Sequence, residues 1–182
     1  MIRRAHPVLL GLLIAGCGSV APPPIGTTSA APSASTAALV RPLALPTFSA
    51  PCQRSTGHQV LPDVGLGLGD GPVWPVGFGA DGQQSLGQSL NGWYAVKVLW
   101  AADPSYTGPV LVRGRRIDGD GLIRFSRDGT LSGPEELALD ASRSGNVERT
   151  WPSYTLVQSP GCYAYQIDGT TFSHTVVFQI GG

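Results

Sequence analysis

Apolar runs in the second two thirds of this chain are short, and glycine, proline or an Asp-Gly pair breaks nearly every one. The 182 residues include 25 glycines and 16 prolines. In a helix interior these residues cost about 1 and 3 kcal/mol relative to alanine, so long helices are disfavoured and short strands joined by tight turns are expected. Gly92 to Trp100 is rich in β-branched and aromatic residues, with Asn91-Gly92 before it and Asp103-Pro104 after it. Further strands are predicted at 73–78, 109–117, 122–126, 136–140, 154–158, 162–167 and 171–180. Turn chemistry falls between them at Asp81-Gly82, Asp118-Gly119-Asp120-Gly121, Asp128-Gly129 and Asp168-Gly169. Around the last pair, Tyr163, Tyr165 and Ile167 alternate on one side, and Phe172, His174, Val176, Phe178 and Ile180 on the other. Such spacing over residues 52–182 predicts an all-β domain, an Ig-like antiparallel β-sandwich of about seven or eight strands.

What precedes the domain has a different chemistry. Residues 1–16 have the parts of an export signal: Arg3 and Arg4, an apolar core from Val8 to Ile14, and the small pair Ala15-Gly16. The apolar stretch is too short to span a bilayer, which takes about 20 residues as helix. It runs into Leu13-Ile14-Ala15-Gly16-Cys17, the pattern at which bacterial lipoprotein precursors receive a diacylglyceryl group on the cysteine and are cut before it. Two or three acyl chains, at about 0.8 kcal/mol per buried CH₂, make a stable anchor. An ordinary signal peptide with an incidental Cys17 is the alternative. Residues 17–51 are dominated by Ala, Pro, Ser and Thr, as in Ala21-Pro22-Pro23-Pro24. That composition predicts a disordered linker, with a reach of roughly 30 Å as a coil or about 100 Å if extended. Gly18 is not the aspartate that retains lipoproteins at the inner membrane of two-membrane bacteria. The expected address is therefore the outer membrane in such a cell, or otherwise the outer leaflet of the single membrane.

Export also sorts the remaining charges and thiols. Losing Arg3 and Arg4 leaves ten basic against twelve acidic side chains, so a nucleic-acid partner has no electrostatic support. With Cys17 lipidated, Cys52 and Cys162 remain as an even pair in an oxidising compartment. A disulfide between them is expected, with two buried free thiols as the alternative. Cys162 alternates with Ala164 and Gln166, off the Tyr163 face, which places the bridge outside the main core.

The lipidation sequence, the Pro-rich linker, Gly71-Pro72-Val73-Trp74, the strand Leu111-Val112-Arg113-Gly114-Arg115-Arg116 and the closing Pro160-Gly161-Cys162-Tyr163 hairpin together resemble a group of bacterial lipoproteins of uncharacterised function. The resemblance covers roughly residues 52–182. It implies an Ig-like sandwich completed by a Gly-Cys-aromatic strand, and it carries no catalytic residues.

Candidate chemistry is sparse. Asp118-Gly119-Asp120-Gly121 resembles the middle of an EF-hand loop, but the positions for its first and last acidic ligands hold Arg116 and Arg127. A strand connection is the plainer reading. Gly77-Phe78-Gly79-Ala80-Asp81-Gly82 matches a dinucleotide fingerprint by letter, yet no helical pattern follows it, and it reads as a strand end and turn. His58 and His174 are the only histidines after residue 16, and no metal-ligand spacing occurs. Neither a metal nor a cofactor is implied. No serine has glycine at both −2 and +2, so the hydrolase nucleophile elbow is missing. Arg113, Arg115 and Arg116 form the one basic concentration and are candidate anion- or partner-binding residues; a solvated face balanced by Asp118 and Asp120 is the plainer reading. Among Trp74, Trp93, Trp100 and Trp151, most belong in the core, and an exposed one would suit sugar stacking. The expectation is a membrane-anchored, extracytoplasmic binding or assembly module without enzymatic activity, meeting an envelope protein or wall polymer. An envelope hydrolase or accessory subunit with a loop-built site is the alternative.

Overall fold

The computed structural model describes residues 36–87, 89–140 and 149–181. Residues 1–16 and Cys17 lie outside that range. A 3-10 turn, Thr36–Leu39, opens the described chain. Twelve strands follow, against the seven or eight predicted: β1 (Gly57–Leu61), β2 (Gly65–Leu68), β3 (Val73–Val76), β4 (Gln83–Gln84), β5 (Ser89–Leu90), β6 (Trp93–Ala102), β7 (Val110–Arg116), β8 (Arg124–Ser126), β9 (Glu136–Leu139), β10 (Arg149–Val157), β11 (Gly161–Gly169) and β12 (Ser173–Ile180). They form two sheets packed as a sandwich. Sheet A runs β1-β2-β3-β6-β10-β8, with β5 beside the start of β6, and sheet B runs β4-β12-β11-β7-β9. All pairings are antiparallel except the short β4–β12 pair.

The period-2 patterns select the inner faces. Val96, Val98, Trp100 and Ala102 of β6 point inward, as do Tyr163, Tyr165 and Ile167 of β11 and Val176, Phe178 and Ile180 of β12. Tyr165 is fully buried at the centre. It stacks on Phe178 at 4.2 Å within its own sheet and meets Trp100 edge-on at 5.2 Å across the interface. Two polar residues share this inner face on β10, and each answers an aromatic partner. Trp100 Nε1 donates to Ser153 Oγ at 2.9 Å, and Thr155 Oγ1 pairs with the Tyr165 hydroxyl at 2.7 Å. Satisfied in this way, the polar atoms avoid the cost of burial without a partner.

Strand order gives the sandwich two poles. The first holds Ala102 and Arg149 of sheet A and Val110 and Gly169 of sheet B; the second holds Tyr94 and Val157 of sheet A and Gly161 and Arg116 of sheet B. β11 and β12 form the expected closing hairpin, with Asp168 opposite Ser173. Asp168 itself belongs to the strand rather than the turn.

Residues 38–51 correct the predicted linker boundary. They have no strand of their own, yet they lie along the outer face of β11 as a strap. Arg41 bonds the Phe172 and Gly169 carbonyls at the first pole (2.6 and 2.9 Å). Further along, the Gln166 side chain accepts from the Ala44 N–H and donates to the Pro42 carbonyl (2.6 and 3.1 Å). Cys52 then reaches Cys162 at the second pole in a disulfide with Cα atoms 5.8 Å apart. The folded domain therefore begins near Leu39, which is itself buried, rather than at residue 52. Pro42, Pro46 and Pro51 explain why the strap is no strand, because proline donates nothing to a ladder. Gln166 supplies those bonds from the sheet side.

Candidate functional site

The densest polar cluster lies beneath the strap. Asp168 has no exposed surface, although it stands on the outward face of β11. Its carboxylate accepts from Arg113 at 2.8 Å, Arg41 at 3.3 Å, Ser173 Oγ at 2.6 Å and the Gln166 amide at 3.0 Å. Arg113 also donates to the Arg41 carbonyl at 2.6 Å. Burial alone would raise the Asp168 carboxyl, but the hydrogen bonds from Ser173, Arg113 and Gln166, with the Arg113 charge, outweigh it and hold the group below the usual carboxylate range. With every lone-pair direction occupied, this cluster is a latch between strap and sheet.

That latch changes the reading of the arginine cluster. Arg113 is only 12% exposed and committed to Asp168, so it is not a free anion-binding group. Arg116 folds over the second pole, bonded to Asp118 at 2.5 Å and to Ser159 Oγ at 2.9 Å. Of the three, Arg115 alone is exposed. The acidic loop is correspondingly engaged: Asp118 is held by Arg116, and among the described residues no three of His, Cys, Asp and Glu gather as metal ligands do.

The catalytic candidates stand apart. His174 faces inward on β12, stacked on Phe172 at 5.3 Å, with neither ring nitrogen bonded. Burial pushes its pKa below the usual histidine value. His58 is exposed on β1 and lines an open depression of about 370 Å³ with Asp70, Ser55 and Thr175. Ser55 Oγ is occupied there by the Val177 N–H at 3.0 Å. The depression holds no assembled nucleophile and base. Gly77 to Gly82 forms a tight turn, with the Gly82 N–H bonded to the Gly79 carbonyl at 2.9 Å, and no helix starts there. A groove of about 490 Å³ runs between β8 and β9, lined by Phe125, Arg127, Asp128, Pro134 and Leu137. Asp128 is tied into its own turn by Thr130 and Ser126, which lower its carboxyl to about 2.

Sheet A presents the sandwich's second outer face. Trp74, Trp100 and Trp151 are buried, whereas Trp93 is half-buried on this face, with the Arg124 guanidinium 5.0 Å above its ring. Lys97 and Tyr154 stand opposite each other one step along. Sequence reasoning had no signal for the pairing of Trp93 with Arg124, since the two strands meet β10 from residues thirty apart. Nor did it have one for Arg41, a lone charge in a Pro/Ala/Leu stretch. No family model matches this chain, and neither a curated protein nor a solved structure shows significant similarity to it.

Proposed function

We propose that the chain is a lipoprotein anchored through Cys17, and that its sandwich, read as Ig-like, is a non-enzymatic binding or assembly module held outside the membrane. The supporting observation is the strap. A chain arriving from Cys17 meets the domain at the first pole, is latched by Asp168 and runs the length of β11. It is then fixed covalently at the second pole by the Cys52–Cys162 bridge. A disulfide suits an oxidising compartment, and a double attachment suits a domain that carries load on its N-terminal segment. Between Cys17 and buried Leu39 the spacer is shorter than the sequence boundary implied, about 20 residues, with a coil reach of roughly 25 Å. Against the hydrolase reading stands Ser55, the serine beside His58 in the open depression, whose Oγ is hydrogen-bonded to the Val177 N–H rather than to the imidazole.

Metabolic labelling with a fatty-acid probe in a bacterial host tests the anchor. Wild-type protein is expected to take the label and sediment with membranes, and Cys17→Ala to lose both properties. Unchanged labelling of Cys17→Ala would overturn the reading. A pull-down of the tagged, lipidated protein from the envelope then identifies its partner.

A further inference from the structure

Among the described residues the strap lies along the outer face of sheet B, and the β1–β2 region covers Val76 and Ala101 on that of sheet A. On the latter face, the outward rows of β6, β10 and β8 place Trp93, Lys97, Pro152, Tyr154 and Arg124 side by side. Tyr154 stands opposite Lys97 on one strand and Ser126 on the next, while Leu156 stands opposite Ala95 and Arg124. Lys97 and Pro152 are exposed; the two aromatic rings and Arg124 are half-buried. The row contains two cations and no carboxylate. Arg41, Arg54, Arg113 and Arg116 all have acidic partners, whereas among the described residues no ion pair involves Lys97 or Arg124. Asp128, in the turn after β8, is bonded to Thr130 and Ser126.

We propose that this face, centred on Trp93, Arg124, Lys97 and Tyr154, binds an anionic glycan, a polysaccharide bearing carboxylates or phosphates. Flat indole and phenol rings accept the C–H faces of sugar rings, and adjacent guanidinium and ammonium groups pair with the acidic substituents. Arg124 over Trp93 already shows how cation and ring share the surface. A folded protein partner is disfavoured because exposed Lys97 stands at the centre of the row, and lysine is depleted from the cores of protein interfaces. A bilayer is disfavoured because the Trp93 and Tyr154 rings are half-buried in the sheet rather than protruding as membrane-inserting side chains do.

The proposal rests on the binding-module reading and is tested separately from the anchor. Native electrophoresis of the secreted Cys17→Ser chain through gels containing polygalacturonate or poly(glycerol phosphate) is expected to show retardation of at least about twofold, weakened by salt. Trp93→Ala, and Lys97→Gln with Arg124→Gln, should lose it, while Arg115→Gln, on the other sheet, should keep it. Melting temperatures confirm that each variant folds. Lys97 is the only lysine, so its protection from acetylation by the same polymers is read at a single site. Absence of retardation and protection would overturn the proposal, as would equal retardation by uncharged hydroxyethyl cellulose or stronger binding to phosphatidylglycerol vesicles. Loss of fatty-acid labelling specificity at Cys17 would sink the anchor alone and leave these results standing.

Discussion

Asp168 shows most clearly how one residue ties sequence to architecture. A fully buried carboxylate costs several kcal/mol unless it is paired and hydrogen-bonded. Here Arg113 and Ser173 come from neighbouring strands and Arg41 from the strap. Removing the charge in Asp168→Asn leaves Arg113 uncompensated and is expected to lower stability by about 3 kcal/mol in chemical denaturation. The pH dependence has a definite sign. A carboxyl held below its unfolded value, near 3.9, contributes stability that is complete above that value and is lost as pH falls through the lower folded value. Wild type should therefore destabilise more steeply below about pH 4 than Asp168→Asn; parallel acid titrations of the two would contradict the latch. A second residue-scale prediction concerns Ser153, the acceptor for the buried Trp100 Nε1–H. Ser153→Ala should cost about 1–3 kcal/mol by leaving that donor unpaired, whereas a change below about 0.5 kcal/mol would mean the bond is not needed.

Among the elements, those with a strong period of two were legible in the sequence, and those defined by their partner were not. β6, β7, β11 and β12 fall close to their predicted ranges because aromatic and β-branched alternation marks a buried face. β10 was predicted to start at Tyr154, yet it starts at Arg149 and contains Pro152. The reason is β8, which pairs only with Tyr154–Leu156 and leaves the proline beyond its end, where no ladder partner is missed. β1 and β2 escaped notice because Gly65, Gly67 and Gly69 interrupt any pattern. Gly67 is required by contact: a Cβ there would lie 2.6 Å from that of Trp74. The strap was legible in composition and not in position, since its bonds come from Gln166 and Asp168, more than 120 residues away. Those bonds make it testable as an element. Cys52→Ala with Cys162→Ala should cost about 5 kcal/mol, the chain-entropy value for a loop of 110 residues. Adding Gln166→Ala should speed hydrogen exchange at the Ala44 amide while the core amides of β6 and β11 follow global unfolding. Exchange at Ala44 already as fast as in a free peptide would show that the strap is not docked.

For the whole molecule, the organising fact is that, among the described residues, the chain's own N-terminal segment lies along one outer face of a two-sheet sandwich, while on the other Leu61, Val76 and Ala101 form a small buried cluster and Trp93, Lys97, Tyr154 and Arg124 keep exposed surface. That asymmetry could not be read from the sequence, because Leu39, Val40, Leu43, Leu45 and Phe48 follow no strand or helix period and Pro42, Pro46 and Pro51 break the stretch. The pairing of cysteines could be read, since compartment and count left one partition, and so could the bridge's place off the core face, since Cys162 alternates with Ala164. The candidate site was half legible. Three neighbouring arginines drew attention, but burial and pairing commit Arg113 and Arg116 to the fold, and the stacked Trp93–Arg124 pair with Lys97 lies on the opposite sheet. Tether and strap both require a chain that starts at a lipidated Cys17 and is clipped at Cys52. Intact mass and tandem mass spectrometry of protein purified from bacterial membranes test both ends together. The expected result is an N-terminus at Cys17 bearing diacylglyceryl and N-acyl groups, with Cys52 and Cys162 in one cross-linked peptide. An unmodified N-terminus at any other residue, or two free thiols at Cys52 and Cys162, would contradict it.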